Sequence, residues 1–155
     1  MAFSPEQQLA YTKAAAICSK SETCSFDIHE KLKAWGLDED NLLAVLSQLK
    51  EEKFIDDERF ARAYVKDKFR FNHWGKQKIE FMLRSKRINP EILALAFDEI
   101  EDEGYADELL KLISDKLRTI KAKDKYDLRN KLMRFAMGKG FESGKIYAAF
   151  KELEI

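Results

Sequence analysis

Ten basic side chains crowd the stretch from Arg59 to Arg87, against only Asp67 and Glu80. Arg59, Arg62, Lys66 and Arg70 recur there at i, i+3, i+7 and i+11, which puts them on one face of a helix. Lys78, Arg84, Lys86 and Arg87 follow, with Lys76, Arg84 and Arg87 aligned along the next helix. Such lines of ammonium and guanidinium groups suit phosphates, or carboxylates on a partner protein. A solvated, solubilising face is the other reading of the same pattern.

No other residues suggest a reaction. His29 and His73 lack the Cys or His spacing of a zinc site, and Cys18 and Cys24 near the first inter-helix turn are expected to pack rather than ligate. His73-Trp74-Gly75 reads as an aromatic turn. Trp74 has a face on which a base or a partner side chain could stack, but packing is its expected role. Glycine-rich phosphate loops, nucleophile elbows and metal-ligand pairs at helical spacing are missing from the sequence. The acidic run 98–103 is expected to spread around a helix in solvent. No catalytic residue, metal or cofactor is therefore expected.

The elements that must carry these faces all read as helices. Six Gly and two Pro are the only strong interruptions in 155 residues, and no stretch alternates with the period of a strand. Ser4-Pro5-Glu6-Gln7 has the form of a capping box, and Asn89-Pro90-Glu91 repeats the cap-then-proline device. Nine helices are predicted, at about 5–18, 26–35, 39–52, 57–71, 76–86, 90–103, 106–122, 125–137 and 143–154. Phe60, Tyr64 and Phe71 would form the buried seam of the fourth. In the fifth, Ile79, Met82 and Leu83 would face inward.

An internal repeat runs through this pattern. Ile28, Leu32, Leu37, Leu42, Leu46 and Leu49 recur as Ile79, Leu83, Ile88, Leu93, Phe97 and Ile100, and again as Leu128, Leu132, Phe141, Ile146, Phe150 and Leu153. Each copy holds a hydrophobic staple across a helix start: Leu37 with Leu42, Ile88 with Leu93, Phe141 with Ile146. Leu9, Phe60 and Leu109 extend the match more weakly. The expected fold is all-α, with three tandem three-helix repeats (1–54, 55–104 and 105–155) stacked into an elongated, curved molecule.

Lys+Arg and Asp+Glu balance at 28 each, but they are segregated. Residues 1–55 carry six basic and nine acidic groups, 91–103 carry six acidic and no basic ones, and Lys111 to Lys139 hold ten basic against three acidic. Basic faces in corresponding helices of repeats two and three are thus expected. The longest apolar run, Ile92 to Phe97, is six residues against about 20 for a bilayer crossing. No secretory signal is visible at the N-terminus, and two cysteines make no disulfide framework. A soluble cytoplasmic monomer without membrane contact is expected.

The segment Asp56-Asp57-Glu58-Arg59-Phe60-Ala61-Arg62-Ala63-Tyr64-Val65 resembles the signature of the RecX family of bacterial recombination regulators. The resemblance continues through Trp74-Gly75-Lys76-Gln77-Lys78-Ile79 to Leu83-Arg84-Ser85-Lys86-Arg87-Ile88, with Arg87 where the family commonly has Gly. It implies a protein without enzymatic activity that binds the RecA recombinase, chiefly its filament on single-stranded DNA. Seated in the filament groove, it would inhibit strand exchange, ATP hydrolysis and coprotease activity, within DNA repair and the SOS response. The expected contacts are Arg59, Arg62, Lys66, Arg70, Lys78, Arg84, Lys86 and Arg87, while Phe60, Ala61 and Tyr64 are assigned to the core. Weak contact with single-stranded DNA stays open. The alternatives are a non-specific nucleic-acid-binding helical repeat module and an adaptor for an unrelated protein.

Overall fold

Both prolines open helices, where a fixed φ and a missing N–H cost nothing. In the structure, a computed structural model that describes residues 2–155, the helices are α1 (Pro5–Lys20), α2 (Ser25–Ala34), α3 (Glu39–Glu51), α4 (Asp57–Arg70), α5 (Lys76–Ser85), α6 (Pro90–Ala96), α7 (Asp102–Leu117), α8 (Lys125–Gly138) and α9 (Ser143–Glu152). Among the described residues all regular structure is helical. The Ser4 hydroxyl accepts the Gln7 N–H at 3.1 Å while the Gln7 side chain accepts the Ser4 N–H at 2.8 Å, closing the capping box. Asp38 and Asp124 cap α3 and α8 with their carboxylates.

The chain divides into two compact units. The first comprises the residues up to Ala63 together with 84–95, and the second comprises 64–83 together with 96–155. In the first, α1, α2 and α3 pack against one another around Ala10, Ala14, Ile28, Leu32, Leu42, Val45 and Leu49. In the second, α7, α8 and α9 do the same, burying Tyr105, Leu109, Ile113, Leu132, Ala136, Phe141, Ile146 and Phe150.

All three staples are buried at both ends. Of the other repeat positions only Phe97, Leu128 and Leu153 are half-buried rather than buried. The weaker extension fails at Leu9, which is 62% exposed. There α1 turns the small side chains of Ala10 and Ala14 inward instead, letting its backbone approach closely. Phe71 is no part of a buried seam. It lies just past the end of α4 at 69% exposure, and α4 buries Phe60, Ala61 and Val65, with Tyr64 half-buried. Met82 is half-buried, whereas Ile79 and Leu83 are buried as expected.

The sixth helix is shorter than its pattern predicts. It stops at Ala96, passes through a 3₁₀ turn at Phe97–Glu99 and reaches extended Ile100, which is buried. Glu101 then precedes the first turn of α7, which holds Asp102 and Glu103. Carboxylates are favoured at a helix N-terminus and disfavoured at a C-terminus, so the acidic run starts a helix rather than ending one.

Cys24 is fully buried, and burial pushes its thiol up to about 11. Cys18 is half-buried, with its sulfur 3.2 Å from the Thr23 hydroxyl. Since the thiolate is the reactive form, a disulfide reagent at pH 8 should label Cys18 of the native protein well before Cys24. In denaturant both should react at one rate, as thiol-counting spectroscopy can check.

Candidate partner-binding surface

The signature segment binds the first unit together. Asp56 caps α4, its carboxylate accepting the Arg59 N–H at 3.0 Å. The neighbouring Asp57 carboxylate accepts the Ser25 N–H at 2.8 Å, satisfying the first amide of α2. Arg59 reaches the Glu22 carboxylate through Nε and the Lys53 and Phe54 carbonyls through Nη2, at 3.1 and 3.3 Å. Its guanidinium thus joins the α1–α2 loop, the end of α3 and α4. Arg62 pairs with Glu58 one turn earlier at 3.1 Å.

Beyond α5 the chain presents Arg84, Lys86 and Arg87, also in the first unit. Lys86 Nζ lies 2.8 Å from Asp27, and the Arg87 guanidinium sits 5.1 Å from the Phe26 ring centroid. Arg84 and Arg87 are exposed. The repeat aligns Arg87 with Gly36 and Gly140, and all three have positive φ, at 56°, 95° and 101°. The turn thus keeps the glycine conformation with an arginine in it, at a cost of about 1–2 kcal/mol.

In the second unit Lys66 and Arg70 are exposed on α4, with no ion pair among the described residues. Lys78 on α5 stands 4.5 Å from the Trp74 ring centroid. Lys68, which spacing did not single out, stands 5.1 Å from the same ring and 5.4 Å from that of Tyr64. Only the turn through His73, Trp74 and Gly75 makes this pairing, so helix periodicity could not reveal it. A cue lay in the alternation of basic and aromatic residues around Trp74.

Two further features hold that turn in place. Gly75 N–H donates to the Lys139 carbonyl at 2.7 Å, and Gln77 N–H donates to the Gly140 carbonyl at 3.0 Å. The α4–α5 and α8–α9 connections therefore meet backbone to backbone. Tyr105 is buried beneath, its ring between Phe69 and Phe141 at centroid distances of 5.8 and 5.1 Å. Its oxygen accepts the Lys76 N–H at 3.0 Å, and its hydroxyl donates to Glu142. Burial, reinforced by that carboxylate, holds the phenol well above the usual tyrosine range.

The basic residues of α7 and α8 are partly occupied as well. Lys116 stands over Phe135 at 4.9 Å, Arg129 over Phe150 at 5.4 Å, and Lys131 binds the Lys121 carbonyl and Asp127. The backbone N–H of Lys123 helps hold the Asp127 carboxyl below its ordinary range. Among the described residues no group of three or more His, Cys, Asp or Glu side chains is disposed to hold a metal ion, and no helix is long and apolar enough to cross a membrane.

Family models for RecX match two parts of the chain: the second three-helix domain at residues 56–96 and the third three-helix domain at 103–150. The regulatory protein RecX of Clostridium perfringens (strain 13 / Type A) is 34% identical over 118 residues, which is 75% of this chain and 55% of that protein. That of Clostridium botulinum (strain Eklund 17B / Type B) is 32% identical over 127 residues, covering 81% and 59%. The chain thus spans little more than half the length of these relatives. Among solved structures, the crystal structure of RecX from Lactobacillus salivarius matches with a TM-score of 0.86 at 20% identity, over 96% of this chain and 97% of that one. A second, the crystal structure of a regulatory protein RecX, matches with a TM-score of 0.86 at 25% identity, over 95% of this chain and 73% of that one.

Proposed function

Because the chain belongs to the RecX family of regulatory proteins, we propose that it binds the RecA recombinase, chiefly as the filament on single-stranded DNA, and restrains strand exchange, ATP hydrolysis and coprotease activity. One observation carries this reading: the second-domain match at 56–96 coincides with the stretch in which ten basic residues face two acidic ones. The protein acts by occupancy, as a cytoplasmic monomer organised in three-helix units at 1–54, 55–104 and 105–155. Contacts with neighbouring RecA protomers would add up on the filament and be missing on free RecA, giving selectivity through multivalency.

Within the proposed surface the residues contribute unequally. Lys66 and Arg70 present their charge outward most directly, while Lys78 and Arg87 also lie over aromatic rings. Arg59, Arg62 and Lys86 also hold intramolecular partners, so their substitution mixes folding with binding. The Lys66→Glu/Arg70→Glu double variant is therefore the cleaner test. Both side chains are exposed, so stability should move by only about 0.5 kcal/mol. Co-sedimentation with RecA filaments should weaken by about ten-fold or more, as expected when charged contacts worth a few kcal/mol become repulsive. Retention at the wild-type level by a folded variant removes this face from the interface.

A further inference from the structure

Around Trp74 the second unit gathers aromatic and cationic groups. Lys68 and Lys78 approach its ring to 5.1 and 4.5 Å, and each has an exposed phenylalanine three residues further along. Phe71 follows Lys68, and its N–H still bonds the Asp67 carbonyl at 2.8 Å, so the pair keeps helical i,i+3 spacing. Phe81 follows Lys78 on α5. Residues three apart on a helix are surface neighbours. Trp74 lies between Lys68 and Lys78 in contact, and helical spacing sets Phe71 beside Lys68 and Phe81 beside Lys78.

Two properties set this row apart from a merely solubilising face. Phe71 and Phe81 are 69% and 71% exposed, the two most exposed phenylalanines among the described residues. Solubility would be better served by any polar residue at either position. Neither Lys68 nor Lys78 has a carboxylate within ion-pair distance among the described residues; each ammonium rests on an aromatic ring instead. A π-cation contact restrains an ammonium without neutralising it, so both charges remain available to an incoming anion.

We infer that Phe71, Lys68, Trp74, Lys78 and Phe81 form a binding row for single-stranded nucleic acid, independent of any contact with RecA. Two bases stack on the exposed phenylalanine rings, and the phosphates between them meet Lys68 and Lys78. Trp74 spaces the two ammonium groups. Stacking tolerates any base, because every base has a π-face, so the row reads strandedness rather than sequence. A duplex, whose bases are already stacked, offers the rings nothing. An acidic protein surface would satisfy the lysines but would leave two exposed rings needing matched apolar pockets. Rings set beside charges fit a strand in which base and phosphate alternate.

The test uses the whole protein, oligothymidylate and no RecA. Trp74 and Trp35 are the only tryptophans, and Trp35 belongs to the first unit, under Lys13. Titration should quench the wild-type emission, and Trp74→Phe should abolish the quench. Phe71→Ala/Phe81→Ala should weaken binding by about ten-fold or more, the loss expected for two stacked bases, with unchanged helical circular dichroism. Lys68→Ala/Lys78→Ala should flatten the slope of log K against log salt by about 1.4, or 0.7 for each phosphate. The row is refuted if Phe71→Ala/Phe81→Ala binds oligothymidylate at wild-type affinity, or if duplex DNA quenches Trp74 as well as the single strand does. A Phe71→Ala/Phe81→Ala protein that binds oligothymidylate normally yet no longer inhibits RecA would assign the rings to a protein partner and equally refute it. Inhibition of RecA by the wild-type protein, assayed alongside, reads the regulator proposal separately.

Discussion

Gly75→Ala should cost the protein about 3 kcal/mol, a fall of roughly 10 °C in melting temperature for a chain of this size. A Cβ at Gly75 would stand 2.4 Å from the backbone carbon and oxygen of Gly140 and from the nitrogen of Phe141. None of these can swing aside as a side-chain tip could. They belong to the turn whose carbonyls accept the Gly75 and Gln77 N–H groups, so making room breaks hydrogen bonds that join two connections. Gly140→Ala should be at least as harmful, since it adds a φ of 101° to a clash with Lys78. Gly104→Ala is the control. Its Cβ meets nothing within 4 Å, and helix propensity predicts a gain of up to about 1 kcal/mol. Thermal melts of the three variants, followed by circular dichroism, would check the ordering. A Gly75→Ala protein melting with the wild type would mean that the two connections do not meet backbone to backbone.

Tyr105→Ala should lose about 4 kcal/mol, and Tyr105→Phe about 1–2 kcal/mol. Alanine empties a site only 1% exposed and leaves Phe69 and Phe141 without the ring between them. Phenylalanine keeps that ring but removes the oxygen linking the Lys76 N–H to Glu142. The gap between the two variants separates aromatic packing from the polar bridge, and urea midpoints measure it. Equal losses would show that the hydroxyl carries the whole effect. Because the phenol is held well above the ordinary tyrosine range, Tyr105 should stay protonated, and keep donating, at alkaline pH where an exposed tyrosine ionises.

Local signals were the ones legible in the sequence. The staples, the Ser4 box and the helix starts depend on residues a few positions apart, and they appear in the structure within one residue, except that α7 starts at Asp102, four residues before its predicted start. Periodicity misled where it had to choose between neighbours on a helix. The weak extension of the repeat fell on exposed Leu9 although Ala10 and Ala14 fill the core of α1, and Phe71 extended a seam past the end of its helix. The sixth helix was drawn too long because an apolar run followed by acidic residues does not say which of two helices the acids belong to; the helix dipole decides.

The basic face was visible as composition but not as chemistry. Spacing placed Arg59 beside Arg62, Lys66 and Arg70, yet could not show that Arg59 holds Glu22 and two carbonyls while Lys66 and Arg70 do not bond inward. Nor could it join Lys68 to Trp74, because the contact crosses a turn whose path is set by Gly75 against Gly140. The glycine in Trp74-Gly75-Lys76 carries information about a partner 65 residues away. Arg87 is the converse case: resemblance marked it as an unusual residue at a glycine position, and the positive φ shows that the position kept its shape.

The most direct measurement is the rate of ATP hydrolysis by RecA from the same organism on single-stranded DNA, as this protein is titrated in. The regulator account predicts that hydrolysis falls and saturates at about one molecule for every few RecA protomers, the ratio set by contacts that bridge neighbours. Hydrolysis that continues undiminished in the presence of a molar excess of folded protein would contradict it.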